Sequence, residues 1–506
     1  MKKNILDYFF ITSKNNYSKT AIVDGDREFN FNDLKVQSLK IAKQILNTSL
    51  DYKQPIAVFL PKSFECIASD IAITMTGNIY MNLDIKSPVD RLKNIILAIN
   101  PQIIITNSAG LASLEGIHEL KIINIDDLKT NETLLNEQLV LKRLEPVVDT
   151  DPLCIINTSG STGTPKGVVL NHRSYINYTK WAINTFNIDE SFRLGVLSPP
   201  IFDHFNYELC LMMTTGAELV LLDNNLAMFP IKLLELLKIN NVNYIFWVPT
   251  IMVNIANMDL LSSIQLPKLK MVWFAGEVFP TKQFNYWQKS LPNVTFVNLY
   301  GPTEATVDCT YYIVNRELSD DEPIPIGFPC RNTDILILDD DDKLSDTGKE
   351  GELCIRGTAL AMGYYNNPEK TNQAFVQNPL NTAYPEVIYR TGDVVAINEF
   401  GEIVFKGRKD TLIKHLGYRI ELGEIEHLVL NSLKMVKNVC ALYDQNKKEI
   451  ILIYENEVEI SVASWRQALT TILPKYMIPT KYFKIDAMPR NANGKIDRTL
   501  LKQMFC

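Results

Sequence analysis

The first 150 residues alternate between short apolar runs and longer amphipathic stretches. Residues 56–60 and 103–106 are apolar and rich in β-branched side chains, which is typical of buried strands. Residues 34–46 and 63–76 instead carry apolar side chains at helical spacing. Regular alternation of strands and helices favours a layered α/β architecture.

The same alternation continues from residue 151 to about residue 400. Five more apolar runs are predicted strands, each followed by turn residues: 194–197, 218–222, 244–248, 271–274 and 294–298. Parallel α/β sheets bind their ligands at the carboxyl ends of the strands. The side chains that follow these runs are therefore candidates for a binding site.

The final hundred residues have the pattern of a separate, smaller α+β unit. Residues 424–433 and 464–472 are predicted helices, residues 450–453 a strand, and residues 491–495 a polar turn-rich loop. We therefore predict an N-terminal α/β domain over residues 1–407, which includes a β-barrel-like part. A hinge at 408–410 and a mobile α+β domain at 411–506 follow.

The segment at residues 153–169 carries a strong chemical signal. A predicted strand is followed by residues rich in Gly, Ser and Thr, then by Lys166 and a second apolar run. Backbone N–H groups and hydroxyls of such a loop can surround phosphate oxygens, and the lysine adds positive charge. A flexible linker is the alternative, although linkers rarely lie between two apolar runs. Gly167 follows the lysine, so the segment is not a Walker A loop.

Composition narrows the class of protein. The chain has 506 residues, of which 46% are apolar and 22% charged, as in ordinary globular proteins. Its net charge of −7 argues against nucleic acid or an anionic membrane as the main partner. No apolar run approaches the ~20 residues of a spanning helix. The eight cysteines form no Cys-x-x-Cys pair, so we expect neither a disulfide framework nor a zinc site, and a reducing cytoplasm is the default location. We also expect a monomer.

Several segments follow one another in an order that resembles the adenylate-forming superfamily. Besides the loop at 153–169, these are Tyr-Gly-Pro-Thr-Glu at 300–304, Gly-Glu-Leu-Cys-Ile-Arg-Gly at 351–357, Tyr-Arg-Thr-Gly-Asp at 389–393, Gly-Arg-Lys-Asp at 407–410 and Asn-Gly-Lys-Ile-Asp at 493–497. The superfamily includes acyl-CoA synthetases, luciferases and the adenylation domains of nonribosomal peptide synthesis. The resemblance spans nearly the whole chain and implies an enzyme that activates a carboxylate with ATP and Mg²⁺.

The resemblance also implies roles for individual residues. Glu304 is the expected Mg²⁺ ligand, since hard cations prefer carboxylate oxygens, and Thr303 is expected to donate to the α-phosphate. Lys495 is expected to bridge the substrate carboxylate and the α-phosphate, and Asp410 to act as the hinge. Each segment read alone would be an ordinary turn or a solvated side chain. The implied nucleotide-binding residues are Thr158, Ser159, Gly160, Ser161, Thr162, Gly163, Lys166, Gly276, Asn298, Tyr300 (adenine), Asp393 (ribose hydroxyls) and Arg408.

The substrate class is implied by Asp203. Amino-acid-activating members have an aspartate after a phenylalanine, and that carboxylate pairs with the α-ammonium group of the substrate. The alternative is that Asp203 caps a helix starting at residue 204 or 205. The implied pocket residues are His204, Tyr207, Phe246, Trp273, Ala275, Leu299, Val307 and Asp308.

The bulk of these pocket residues favours a small amino acid, namely serine, glycine or alanine. Phe246, Trp273 and Tyr207 should shorten the cavity, and Asp308 adds a polar acceptor, although aromatic residues more commonly pack a core. The Phe-Asn pair at 205–206 departs from the small residues common in the family, and D-alanine–carrier protein ligases share some of the motifs.

The acceptor of the activated acid is expected to be the phosphopantetheine thiol of a separate carrier protein, because the chain ends eleven residues after Lys495. Free CoA is the alternative acceptor. Two rival functions are a carboxylic acid–CoA ligase and a non-catalytic nucleotide-binding protein. Asp203 argues against the first, and the presence of Lys166, Glu304, Asp393 and Lys495 against the second.

Overall fold

The computed structural model describes residues 3–114, 120–128, 135–159, 165–409, 412–445, 447–490 and 496–506. The chain forms two compact units. The first comprises Met1–Ile85, Asn100–Ile156 and Gly167–Lys409, and the second comprises Lys86–Ile99, Asn157–Lys166 and Asp410–Cys506.

The strands of the described residues are, in chain order, β1 (Thr20–Asp24), β2 (Arg27–Asn30), β3 (Pro55–Phe59), β4 (Ile79–Asn82), β5 (Ile103–Thr106), β6 (Lys121–Asn124), β7 (Pro152–Thr158), β8 (Lys166–Asn171), β9 (Arg193–Val196), β10 (Glu218–Leu221), β11 (Tyr244–Trp247), β12 (Met271–Phe274), β13 (Thr295–Tyr300), β14 (Thr310–Ile313), β15 (Phe328–Pro329), β16 (Thr333–Leu338), β17 (Gly351–Gly357), β18 (Phe375–Gln377), β19 (Val387–Ile397), β20 (Ile403–Arg408), β21 (Leu412–His415), β22 (Tyr418–Glu421), β23 (Asn438–Asp444), β24 (Glu449–Glu455) and β25 (Lys481–Ile485).

The α-helices of the described residues are α1 (Ile5–Asn15), α2 (Phe31–Thr48), α3 (Phe64–Met75), α4 (Val89–Ile99), α5 (Ser108–Leu111), α6 (Glu137–Leu144), α7 (His172–Phe186), α8 (Asp203–Thr215), α9 (Pro230–Ile239), α10 (Pro249–Asn257), α11 (Thr281–Ser290), α12 (Pro368–Ala374), α13 (Leu422–Leu428), α14 (Val462–Leu469) and α15 (Arg498–Phe505).

A nine-stranded sheet positions most of the candidate site. Its order is β15-β14-β13-β12-β11-β9-β10-β1-β2, and the strands from β13 to β1 run parallel. Strands β11 and β12 are buried along their whole length, which explains their continuous apolar sequences. Their carboxyl ends, together with those of β9 and β13, lead into the residues that the sequence nominates for substrate binding.

Two further sheets complete the N-terminal part of the chain. A six-stranded sheet has the order β6-β5-β3-β4-β7-β8, and the strand-like runs at 56–60 and 103–106 are its members β3 and β5. The helices predicted at 34–46 and 63–76 correspond to α2 and α3, and side chains of Asn30 and Ser63 cap their N-termini. The predicted α/β fold is therefore confirmed. Strands β16–β20 form a five-stranded antiparallel sheet in this N-terminal part.

The C-terminal hundred residues form the small α+β fold predicted from the sequence. Strands β23, β24 and β25 make one sheet, β21 and β22 make a hairpin, and Trp465 of α14 is fully buried in the core. The helix predicted at 424–433 begins at Leu422 and widens into π-helical turns at Val429–Leu433. Within the described residues, no helix has the length and apolar character needed to span a membrane.

A buried acid in α3 should make the stability of the first unit depend on pH. Asp70 is fully buried and accepts a hydrogen bond only from Asn82 among the described contacts of its carboxyl, at 3.0 Å, and burial raises its pKa to about 8. Below about pH 3 this carboxyl is protonated in folded and unfolded chains alike. As the pH rises toward 8 the unfolded chain ionises first, so stability is lost over that window.

We expect Asp70→Asn, which cannot ionise, to stabilise the protein by roughly 4–5 kcal/mol near pH 7.5 and by almost nothing near pH 3. Thermal unfolding of the variant and the wild type at both pH values measures this difference. An equal shift at the two pH values would show that packing, and not ionisation, governs the site.

Candidate active site

The predicted phosphate loop begins at the end of β7. Thr158 and Ser159 are buried there, and the Thr158 hydroxyl donates to the carbonyl of Lys166 at 3.4 Å. The Ser159 hydroxyl donates to the carbonyl of Arg419 at 2.8 Å, and both residues belong to the second unit. The predicted ligands Gly160, Ser161, Thr162 and Gly163 lie outside the described residues, as do Lys495 and the hinge residue Asp410.

Strand β8, which follows this loop, is held by the segment at 362–365. The amide of Val169 donates to the carbonyl of Gly363 at 3.0 Å, and the amide of Tyr365 donates to the carbonyl of Gly167 at 2.8 Å. Tyr364 stands between these two bonds and faces the predicted metal ligand. The segment thus links the exit of the loop to Glu304 within the first unit.

Glu304 is fixed from two sides. It lies in a short 3₁₀ turn, Thr303–Ala305, and is fully buried. One carboxylate oxygen accepts from the Tyr364 hydroxyl at 2.7 Å, and its carbonyl accepts from the amide of Ala361 at 2.8 Å. No group of three or more metal-ligating side chains occurs in the part of the chain that is described. A single carboxylate fits Mg²⁺, which keeps several waters and completes its shell with substrate phosphates.

Asp393 is the centre of the predicted ribose site. It lies on β19 directly opposite Arg408 of β20 and is almost fully buried. The Arg408 guanidinium donates to one carboxylate oxygen and the Tyr300 hydroxyl donates to the other. The structure thus brings Tyr300, Asp393 and Arg408 together, and Arg408 is directed at Asp393 itself.

Two other predicted nucleotide contacts lie at or near the carboxyl ends of strands β13 and β12 in the nine-stranded sheet. Asn298 of β13 donates through its side-chain amide to the carbonyl of Pro325 at 2.8 Å. Gly276, just after β12, has a φ of 91°, a conformation that residues other than glycine rarely adopt. Only glycine therefore fits the turn at this carboxyl strand end without strain.

Asp203 is the first residue of α8, and Phe202 occupies the N-cap position without a side-chain hydrogen bond. The alternative that Asp203 caps a helix starting at 204 or 205 is therefore wrong. Its carboxylate accepts from the amide of His204 at 2.9 Å. Desolvation raises the pKa of Asp203, Thr303 opposes this rise, and the nearby charge of Glu304 adds to it. A cationic partner would offset the desolvation.

The rings of Tyr207, Phe246 and Trp273 contact one another and form what we call the aromatic wall. Tyr207 stacks on Trp273 with ring centroids 5.7 Å apart, and Phe246 meets the edge of Trp273 at 5.7 Å. His204 lies 5.0 Å from Phe246, and desolvation, with the charge of Lys62, lowers the pKa of His204 to about 4. Phe246 and Trp273 are neighbours because they sit opposite each other on β11 and β12. These rings share one hydrophobic cluster with the other apolar pocket residues, Ala275, Leu299 and Val307.

The wall continues into a strained turn. Thr306 and Val307 have φ values of 49° and 70°, although both are β-branched. Such residues are rare at positive φ and cost of order 1–3 kcal/mol each. The Thr306 hydroxyl donates to the carbonyl of Ala359 at 2.7 Å, which helps to hold the turn. Asp308 follows, buried, and accepts from the Tyr178 hydroxyl at 2.8 Å.

Three residues of this site were missed by the sequence analysis. Tyr364 and Tyr178 are bonded to Glu304 and Asp308. Lys62 donates to the carbonyls of Val196, Leu197 and Ser198 at the end of β9 and to Asn224, at 2.6–3.2 Å. The sequence signal that could have identified Lys62 is its position directly before Ser63, the N-cap of α3.

Comparison with known proteins agrees with this description. Gramicidin S synthase 1 of Brevibacillus brevis is 29% identical over 492 residues, which cover 96% of this chain and 43% of that protein. This chain thus spans less than half the length of that relative.

Two solved structures share the fold. An artificially fused adenylation–PCP di-domain NRPS from Klebsiella oxytoca, NpsA-ThdA, has a TM-score of 0.82 at 22% identity over 95% of this chain and 93% of that one. The Vibrio cholerae adenylation domain AlmE, in complex with glycyl-adenosine-5′-phosphate, has a TM-score of 0.84 at 20% identity, and the match covers 100% of this chain and 98% of that one.

These similarities agree with the adenylate-forming superfamily that the sequence motifs predicted. The chain belongs to the family of AMP-binding enzymes, whose model matches residues 9–365. Its structural neighbours include the adenylation–PCP di-domain of an NRPS.

Proposed function

We propose that this enzyme joins a small amino acid (serine, glycine or alanine) to AMP and then passes it to the phosphopantetheine thiol of a carrier protein in trans. In the first step an oxygen of the amino acid carboxylate bonds to the α-phosphorus of ATP, and pyrophosphate leaves. In the second step the thiolate sulfur bonds to the acyl carbon, and AMP leaves with the electron pair of the broken C–O bond. Catalysis of such transfers is mainly positioning and charge stabilisation.

The observation that carries this proposal is the position of Asp203. Its carboxylate is half-buried at the start of α8, accepts from the amide of His204, and has a raised pKa because of desolvation. An α-ammonium group placed against it would form a charge-assisted pair and restore the ionised form. An acid without an amine would leave that carboxylate unpaired.

The size of the substrate follows from the aromatic wall. Tyr207, Phe246 and Trp273 are buried and in mutual ring contact, so little space is left for a long side chain beyond Asp203. The structure of AlmE with a glycyl adenylate supports a small amino acid here as well.

Glu304 is proposed to hold Mg²⁺, which when bound supplies positive charge beside the phosphates. Thr303 lies in the same 3₁₀ turn as Glu304, and its hydroxyl is proposed to donate to the α-phosphate. Lys495 keeps its predicted bridging role, and Asp410 its predicted role at the hinge.

The test is amino-acid-dependent exchange of pyrophosphate into ATP, run with the twenty amino acids and D-alanine. We expect exchange with glycine, alanine or serine and none with large amino acids, and we expect Lys495→Ala to lower the rate strongly. Lys484→Ala, in the same C-terminal unit, is the matched control, since its ammonium pairs with the exposed Asp486 at 3.3 Å. Exchange with no amino acid would contradict the proposal.

The second step has its own test. A purified carrier protein with a pantetheine arm, or free CoA, is added to the enzyme with the preferred amino acid, and thioester formation is measured by mass spectrometry. We expect aminoacylation of the carrier. Consumption of CoA with an acid that lacks an amine would favour the alternative, a carboxylic acid–CoA ligase.

A further inference from the structure

Tyr178 contacts two of the predicted pocket residues, Tyr207 and Asp308. It lies on α7, is buried, and packs its ring edge-on against Tyr207 with centroids 4.9 Å apart. Its hydroxyl donates to a carboxylate oxygen of Asp308 at 2.8 Å. Tyr178 is thus bonded to one pocket residue and packed against another, although the sequence motifs do not include it.

Asp308 is the acceptor on which recognition of a serine hydroxyl would depend. Apart from Asp203, which faces the amine, it carries the only carboxylate among the predicted pocket residues. It is 2% exposed, and a carboxylate so deeply buried requires hydrogen-bond donors. Tyr178 supplies one of these donors permanently, from the protein side.

We propose that Tyr178 is a specificity-determining residue, which satisfies Asp308 and so directs the enzyme to glycine and alanine over serine. This inference rests on the proposed function. A hydroxyl that enters a buried site gains most when it pairs a group that is otherwise short of a partner. Because Tyr178 already donates to Asp308, a hydrogen bond from a serine hydroxyl to Asp308 adds little binding free energy. It therefore does not offset the hydrogen bonds to water that the serine hydroxyl loses on binding.

The variant Tyr178→Phe removes the donor and keeps the ring. We expect the ratio of kcat/KM for serine to kcat/KM for glycine, in pyrophosphate exchange, to rise roughly tenfold or more, because serine then supplies the missing charge-assisted bond. Both substrates are measured on one preparation, so the ratio does not depend on the folded fraction. The control is Tyr286→Phe on α11, whose hydroxyl accepts from the amide of Leu261 at 2.9 Å, and which should leave the ratio unchanged.

A double-mutant cycle assigns the effect to Asp308. In an Asp308→Ala background, Tyr178→Phe should no longer change the ratio, since the acceptor is gone. An unchanged ratio in Tyr178→Phe alone, or an equal rise in the Asp308→Ala background, would overturn the proposal.

The wild type offers an independent test that needs no variant. Serine and 2-aminobutyrate have nearly the same shape, and the second lacks the hydroxyl. We expect the wild type to use serine no better than 2-aminobutyrate, whereas a tenfold preference for serine would overturn the proposal. Absence of exchange with every amino acid would instead count against the proposed function, so the two failures are distinguishable.

Discussion

Asp203→Asn is expected to lower kcat/KM for the amino acid roughly 100-fold or more. The substitution keeps the shape of the side chain and its contact with the amide of His204. It removes the negative charge that would pair with the α-ammonium group, and an ammonium without a partner in a partly desolvated site is costly. The loss should fall on the KM for the amino acid, with the KM for ATP nearly unchanged.

The measurement is pyrophosphate exchange with varied amino acid and varied ATP. Asp189→Asn is a charge-matched control, because that exposed carboxylate accepts from the amide and hydroxyl of Ser191. Desolvation raises the pKa of Asp203, so the wild-type kcat/KM for the amino acid should fall as the pH drops through that raised value. If Asp203→Asn left the amino acid KM unchanged, Asp203 would serve only to begin α8.

The sequence predicted the parts of the fold that depend on local composition. Runs such as Ile-Ile-Ile-Thr at β5 are too apolar to lie anywhere but in a sheet covered on both faces. Phe246 and Trp273 could be nominated together because parallel neighbouring strands bring equivalent positions into contact. The ordered motifs supplied the rest of the site residues, and the family they indicated is confirmed.

The contacts that hold the site in place could not be predicted from local sequence. Tyr178 and Asp308 are 130 residues apart in the chain, and Tyr364 and Glu304 are 60 apart. Such pairs arise only when the sheets and helices have packed, and nothing in the flanking residues selects the partner.

The backbone conformation of the turn at Thr306 and Val307 could not be predicted from local sequence either. β-Branched residues strongly prefer negative φ, so local preference predicts the opposite of what is found. Gly301 explains part of it, because a side chain there would meet the backbone of Asp308 at 2.4 Å. The tertiary structure overrides local preference next to the proposed pocket, which is where stored strain is most often useful.

The second large effect concerns Glu304 and its partner Tyr364. Glu304→Gln is expected to lower exchange roughly 100-fold or more, since it removes the one carboxylate proposed for Mg²⁺. Tyr364→Phe keeps that carboxylate and removes the hydroxyl that donates to it at 2.7 Å. We therefore expect Tyr364→Phe to shift the Mg²⁺ dependence to higher concentration, with much of the maximal rate retained at saturation.

These two variants separate the charge of Glu304 from its orientation. Tyr365→Phe alters the adjacent, less buried ring and should behave as the wild type in a Mg²⁺ titration of the exchange rate. If Tyr364→Phe lowers the maximal exchange rate but leaves the Mg²⁺ midpoint unchanged, the Tyr364 hydroxyl only supports the 3₁₀ turn and does not affect Mg²⁺ binding. If the Mg²⁺ midpoint of Tyr364→Phe is shifted and Mn²⁺ restores the exchange rate at lower concentration, Tyr364 orients the carboxylate of Glu304. The reason is that a cation with higher affinity for the same oxygen still binds when the ligand is held less firmly.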